Sequence, residues 1–172
     1  MALILKNCLE IAEESTYEKI GVLVCASHKR YGGGYRNHSN AQEEYLFNNT
    51  LLRYATPPKG YYPLAHDEAK GFTVEAGLRS GKLCTFIFVP APVWSVNPDV
   101  GNLQNRAMLI HELSKDIDHL ILSAWGCGVF GCPPVEIVKA LNKSFQSHTI
   151  PQVDMAFLDP KMMDNFRGVF CG

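Results

Sequence analysis

The chain reads as an α/β layered domain with a mixed, mostly parallel central sheet, and two observations predict it. Four short apolar runs rich in β-branched and aromatic residues lie far apart, at residues 21–26 (GVLVCA), 85–90 (TFIFVP), 119–124 (HLILSA) and 153–158 (VDMAFL). They lack the polar alternation of a half-exposed strand, so they belong to a sheet covered on both faces. Between them fall segments with apolar residues at helical spacing, and alternation of strands with helices gives parallel pairs joined by crossovers.

In chain order, Leu5, Leu9 and Ala12 mark a first helix ahead of the first strand. Phe47, Leu51 and Tyr54 mark a second helix after it. Residues 56–82 contain PPKGYYP and several glycines, and read as a hairpin or a loop rimming a site. Leu103, Ala107 and Ile110 give a helix before the third strand, and Val138, Leu141 and Phe145 one after it, with Pro133 and Pro134 suited to its first turn. No internal repeat, low-complexity tract or linker interrupts the chain, so residues 1–172 are expected to form a single domain.

Composition narrows the function. With 47% hydrophobic residues and a formal net charge of -1 spread without blocks, the chain carries no bulk electrostatic footprint for nucleic acid or anionic lipid. The amino-terminal segment MALILKNCLEIAEES has no basic start, long apolar stretch or cleavage site of a signal peptide, and no run approaches a membrane span. A soluble, intracellular monomer is expected. Cys8, Cys25, Cys84, Cys127, Cys132 and Cys171 sit in apolar surroundings without zinc spacing and are expected as reduced, mostly buried thiols.

After the first strand comes HKRYGGGYRNHSNAQEEYLF. Gly32, Gly33 and Gly34 allow positive φ and close approach of backbone N–H groups to a phosphate or a ribose. Such a run also fills ordinary turns, and the next element sharpens the reading: Asn40 is a candidate N-cap for a helix whose first turn holds Gln42, Glu43 and Glu44. First-turn acids complement a helix dipole. Two carboxylates facing one site repel, and a ligand that excludes water raises a carboxyl pKa further; the dipole opposes both, and the balance stays open at this level.

After the third strand, SAWGCGVFGCPP places Gly126, Gly128 and Gly131 between a strand and a helix amino terminus, an arrangement suited to a diphosphate. The spacing is neither the dinucleotide fingerprint nor a P-loop. Both glycine loops lie at carboxyl ends of expected strands and would meet at one crevice.

The residues resemble a family at this point: the macrodomain-type poly(ADP-ribose) glycohydrolases, whose signature is a triple glycine, six to eight residues, then QEE. Here the signature is Gly32, Gly33 and Gly34, then a gap of residues 35–41, then Gln42, Glu43 and Glu44; the GCGVFG loop of residues 126–131 is the second family feature. The resemblance implies a macrodomain-like three-layer α/β/α sandwich. It implies Glu44 as general acid at the anomeric carbon, Glu43 holding ribose hydroxyls, and Gln42 and Asn37 shaping the ribose site. It also implies that the glycine run encloses the diphosphate together with Gly126, Cys127, Gly128, Val129 and Phe130, with Phe130 near the adenosine. No cofactor or metal is implied. The partners would be ADP-ribose and poly(ADP-ribose) or ADP-ribosylated protein, with a non-cleaving ADP-ribose reader as the alternative. Val24 stands where relatives commonly carry Asn, the helical amino-terminal extension of bacterial members is nearly absent, and Phe166 and Phe170 are candidates to stack on adenine. Cys127 as a nucleophile is the weaker reading, because no base is placed beside it.

Overall fold

The computed structural model describes residues 1–171. Six strands form one sheet: β1 (Ala2–Ile4), β2 (Ile20–Val24), β3 (Phe72–Gly77), β4 (Leu83–Phe88), β5 (His119–Leu122) and β6 (Gln152–Ala156). Their order is β1-β6-β5-β2-β4-β3, with every neighbouring pair parallel except β3 and β4. Five helices accompany them: α1 (Cys8–Glu14), α2 (Gln42–Asn49), α3 (Val100–Leu113), α4 (Pro134–Ser144) and α5 (Pro160–Cys171).

Because successive strand residues point to opposite faces, the apolar runs feed two cores. Leu23, Ile87, Leu120, Leu122 and Met155 face one core with α3, α4 and Phe166 of α5; Val22, Val24, Phe86, Phe88 and Ile121 face the other with α1 and α2. The three-layer α/β/α architecture follows directly. All five residues of β2 and all four of β5 are buried, as expected for central strands covered twice.

The four apolar runs all become strands. β1, β3 and α5 were not anticipated. β1 is three residues long, too short to show a period, and β3 lies inside the stretch read as a hairpin or loop. The hairpin is real: β3 pairs antiparallel with β4, and Gly81 turns the chain at φ +87 with nothing within 4 Å of a side chain placed there.

Two helix readings need correction. α2 stops at Asn49 because Thr50 is extended and uses its hydroxyl oxygen to accept from Leu52 N–H at 3.1 Å. A 3-10 turn (Leu51–Tyr54) follows, burying Leu52 and leaving Leu51 and Tyr54 exposed. Leu5 is likewise exposed, since α1 begins only after Asn7 accepts from Leu9 N–H at 2.8 Å. At the amino-terminal edge of the sheet, buried His119 bridges Asp154 (2.8 Å) and Ser15 (2.7 Å), tying β5, β6 and the end of α1 together.

Among the described residues no helix is long and apolar enough to cross a membrane. Cys8, Cys84 and Cys132 are buried, Cys25 and Cys127 are half-buried, and all five are unpaired; the side chain of Cys171 lies outside the described residues.

Candidate functional site

β2 and β5 are parallel neighbours, so the loops that follow them leave the sheet at the same edge, where open α/β sheets hold their ligands. The rings of His28, in the first loop, and Phe130, in the second, lie edge-on at 5.4 Å, so the two glycine loops do meet.

The first half is built around the start of α2. Gln42 lies against the end of β2: its amide nitrogen donates to the Leu23 carbonyl at 2.9 Å and its amide oxygen accepts from Cys25 N–H at 2.8 Å. Glu43 is buried and accepts from Ser27 N–H at 2.7 Å and from Gly32 N–H at 3.0 Å, one on each carboxylate oxygen. Glu44 is buried too; its Oε1 accepts from Gly34 N–H at 3.1 Å, whereas its Oε2 is buried with no partner. The acids are therefore turned back onto the glycine run rather than out along the helix surface. Asn40 is not the cap: the helix starts one residue later than a cap at that position requires, Ala41 is its N-cap, and no side chain bonds the first turn.

The same geometry explains the three glycines. Gly32 and Gly33 have φ of +84 and +56. A β-carbon on Gly33 would lie 2.8 Å from Glu44 Oε1 and 3.2 Å from Glu43 Oε2; one on Gly32 would strike Tyr35 and Phe47, and one on Gly34 would meet Ser39 Oγ at 2.5 Å. The N–H groups expected to face a ligand are largely used inside the protein, on Glu43, Glu44 and the Arg30 carbonyl. What the run provides is room for two carboxylates against backbone. Asn37 is exposed at the end of a 3-10 turn (Tyr35–Asn37), on the wall of a cavity of about 640 Å³ that Gly33 and Gly34 also line.

Burial pushes the Glu43 carboxyl up to about 8; the two N–H donors oppose that rise, and the charge of Glu44 adds the smallest contribution. Like-charge repulsion, the effect anticipated from adjacency, is thus secondary to loss of water.

The second half is the loop after β5. Trp125 anchors it, fully buried and donating from its indole N–H to the Val89 carbonyl at 2.7 Å. Gly126 has φ +76, and a β-carbon there would lie 2.8 Å from that of Ala91. Cys127, Gly131 and Cys132 use their N–H groups within the turn. Those of Gly128, Val129 and Phe130 donate to no protein acceptor among the described residues. They stand ahead of α4, where Pro133 is the N-cap and Pro134 opens the first turn. Three consecutive free donors ahead of a helix start suit an anion. Val129 is 95% exposed. Burial pushes the Cys127 thiol up to about 12, with Cys132 adding to it, so nothing activates it as a nucleophile.

Residues not singled out from the sequence hold the halves together. Arg106 of α3 is fully buried and donates to Asn102 Oδ1 (2.6 Å), His28 Nε2 (3.0 Å), the Pro90 carbonyl (2.7 Å) and the His66 carbonyl (2.6 Å). Because guanidinium only donates, His28 Nε2 must accept, and the ring is neutral with its proton on Nδ1. Burial, then the charge of Arg106, lowers the His28 pKa to about 4. The sequence did carry a signal: Arg106 interrupts the apolar stripe of Leu103, Ala107 and Ile110. Phe166 is fully buried against Phe157 in the core, which removes it as an adenine stacker. Phe170 is partly exposed near the end of α5. Among the described residues no cluster of His, Cys, Asp and Glu is placed to hold a metal.

The family model of the microbial-type PARG catalytic domain, PARG being poly(ADP-ribose) glycohydrolase, matches residues 3–86. That span takes in the glycine run and all of α2. Among solved structures, the chain is similar to PARG from Deinococcus radiodurans in complex with ADP-ribose, with a TM-score of 0.80 and 22% identity over 98% of this chain and 83% of that one. It is similar as well to PARG from Thermomonospora curvata, with a TM-score of 0.73 and 20% identity over 98% and 76% of the two chains. The Thermomonospora curvata enzyme bound to the inhibitor ADP-HPD gives a TM-score of 0.73 at 19% identity over 97% and 77%. These likenesses establish the α/β fold. No curated protein matches the chain.

Proposed function

We propose that this chain is an ADP-ribosyl hydrolase of the poly(ADP-ribose) glycohydrolase type, releasing ADP-ribose from poly(ADP-ribose) or from ADP-ribosylated protein. The observation that carries the reading is the pair of buried glutamates seated on the glycine run, one of them with a carboxyl oxygen that has no protein partner. A buried polar atom without a protein partner is costly unless a ligand or an ordered water meets it. The match of residues 3–86 to the PARG catalytic domain, and the solved PARG holding ADP-ribose on the same fold, point the same way.

In the reaction, Glu44 donates its Oε2 proton to the oxygen leaving the anomeric carbon, and water then attacks the oxocarbenium-like centre, passing a proton back to the Glu44 carboxylate. Glu43 is fixed by two N–H donors and takes a ribose hydroxyl on its remaining lone pairs. Gln42 sets the distance between α2 and β2, and Asn37 contacts the ribose from the rim. The free N–H groups of Gly128, Val129 and Phe130 receive the diphosphate, with Gly126 and Cys127 shaping the turn behind them. Phe130, supported by His28, lies toward the adenosine. Residues 1–172 act as one catalytic domain and as a monomer, in an intracellular setting that keeps the thiols reduced.

The test is release of ADP-ribose from automodified protein by the wild type and by Glu44→Gln, with ADP-ribose binding followed by calorimetry. Release by the wild type alone, with both proteins binding, is the expected result. Binding without release by either would make the chain a reader, and release by both would remove Glu44 from the chemistry.

A further inference from the structure

The ring of His28 has one nitrogen that the site as assembled leaves unused. Nε2 accepts from Arg106 Nη1 at 3.0 Å, so the ring proton sits on Nδ1, and that N–H donates to no acceptor among the described residues. Nor does Nδ1 belong to the buried polar atoms that lack a partner, so solvent reaches it although the residue as a whole is only 5% exposed. The two nitrogens of an imidazole point away from each other. With Nε2 turned onto Arg106 of α3, the Nδ1–H leads away from that helix. The edge-on contact with Phe130 at 5.4 Å sets the ring beside the free N–H groups of Gly128, Val129 and Phe130. On the other side, the preceding residue, Ser27, bonds Glu43 from its N–H at 2.7 Å. His28 thus stands between the backbone donors of the second glycine loop and the glutamate pair.

Arg106 supplies an independent reason to look for an anion here. Its guanidinium is fully buried, yet it forms no ion pair among the described residues. Its acceptors are the Asn102 amide oxygen, the carbonyls of Pro90 and His66, and His28 Nε2, all of them neutral. Buried cations are ordinarily met by an anion. Arg106 also polarises the imidazole: a cation donating into Nε2 draws density from the ring and makes Nδ1–H a stronger donor. The lowering of the His28 pKa to about 4 keeps the ring neutral, which Nε2 needs if it is to go on accepting from Arg106. A polarised donor with a buried cation behind it suits an oxygen that only accepts and carries negative charge, which describes a phosphate better than a ribose hydroxyl.

We infer that His28 is a specificity-determining residue that donates its Nδ1 proton to a non-bridging oxygen of the substrate's diphosphate, its tautomer fixed by Arg106 behind it. The inference rests on the glycohydrolase reading and deepens it, adding a side-chain donor to the three backbone donors of the second loop.

The experiment measures calorimetric affinity for ADP-ribose and for ADP, and the kinetics of ADP-ribose release, in the wild type, His28→Leu and His28→Gln. Leucine keeps bulk beside Phe130 and removes both ring nitrogens, whereas the glutamine amide can accept from Arg106 and donate to a ligand. His28→Leu should weaken both ligands about tenfold or more, the worth of one hydrogen bond to a charged group. KM should rise by a like factor with kcat within about threefold, because the diphosphate is held alike in ground and transition states. His28→Gln should stay within about threefold of the wild type, since it restores both bonds. In 15N-labelled wild type, which needs no variant to fold, the imidazole correlations should show a bare Nε2 and a protonated Nδ1. Adding ADP-ribose should shift the Nδ1–H resonance downfield and protect it from exchange. Unchanged affinity in His28→Leu, or an Nδ1–H resonance unmoved by ligand, would overturn the inference. Equal losses in the leucine and glutamine variants would also overturn it, leaving His28 as a support for Phe130 alone. A loss for ADP-ribose without one for ADP would overturn it in favour of a contact to the distal ribose. If the wild type binds ADP-ribose and releases none, the glycohydrolase reading fails by itself, and the affinities still decide the role of His28.

Discussion

Replacing Gly33 by alanine adds one methyl group and tests the claim that the glycine run exists to seat the glutamates. Gly33 has φ +56, and the new carbon would stand 2.8 Å from Glu44 Oε1 and 3.2 Å from Glu43 Oε2. The backbone cost of holding alanine in the left-handed region is about 1–2 kcal/mol. In a domain of this size that lowers Tm by about 2–8 °C. The approach to Glu44 adds a second effect, because ordinary carbon–oxygen separation requires the carboxylate to retreat by several tenths of an ångström or more. Misplacement of a reacting group by about 1 Å can cost about 100-fold in rate. Gly81→Ala supplies the matched control. Its φ of +87 imposes a like backbone penalty, no atom lies within 4 Å of the added carbon, and the hairpin it turns leads into the start of β4, at the opposite edge of the sheet from the site. Calorimetric Tm and initial rates of ADP-ribose release from automodified protein should show both variants losing stability, and only Gly33→Ala losing about 100-fold in rate. Equal activity in the two variants would refute the reasoning, because the run would then be a turn and nothing more.

Glu43→Gln reads out the buried carboxyl through pH. An acid whose folded pKa is raised from 4.5 to about 8 binds its proton more tightly when folded, so its stabilisation is present below the unfolded value and is lost as pH rises through about 8. Wild-type Tm should therefore fall by several degrees relative to Glu43→Gln between about pH 5 and 8.5, and a constant difference would contradict the assignment. Arg106→Leu leaves Asn102 Oδ1, His28 Nε2 and the carbonyls of Pro90 and His66 without their donor, which should cost at least about 3 kcal/mol and about 6–12 °C in Tm. In whatever fraction of that variant folds, NMR titration should move His28 upward from about 4, since one of the charges depressing it is gone. Gln42→Glu keeps the shape of the side chain but sets an oxygen against the Leu23 carbonyl at the 2.9 Å contact; it should lower both Tm and release rate, whereas a lower rate at unchanged Tm would make Gln42 a substrate contact only.

The sheet was legible because its central strands are buried on both faces, and β2, β4, β5 and β6 announce themselves as mostly apolar runs, with the buried Asp154 of β6 paired to His119. β1 and β3 sit at the two edges, where β1 has three residues and β3 alternates buried and exposed positions, so neither leaves such a signature. At the site, residues adjacent in sequence could be grouped from the motifs alone. Contacts between distant segments could not: His28 meets Arg106 across 78 positions, and Trp125 reaches Val89 across 36. Asn40 fails as the cap because capping depends on which residue is first helical, a boundary that moves by one or two positions without changing the pattern. Thr50 ends α2 early by offering its hydroxyl to the next turn, a local competition that apolar spacing does not register.

The amide of Gln42 has a consequence for how the chain assembles. It donates to the carbonyl of Leu23 and accepts from the N–H of Cys25, on either side of Val24, which is the pattern a neighbouring parallel strand presents to the residue it pairs with. A side chain thus stands in for a peptide group, and the sheet is extended by one unit that belongs to a helix. If α2 docked one residue out of step, that position would be filled by Ala41, which can neither donate nor accept, or by Glu43, whose ionised carboxylate can only accept, and one or both backbone groups would be left without partners. Such a register would be less stable than the native one by the cost of the unpaired groups. The position of α2 against the sheet is in this way set by the same hydrogen-bonding rule that aligns strands.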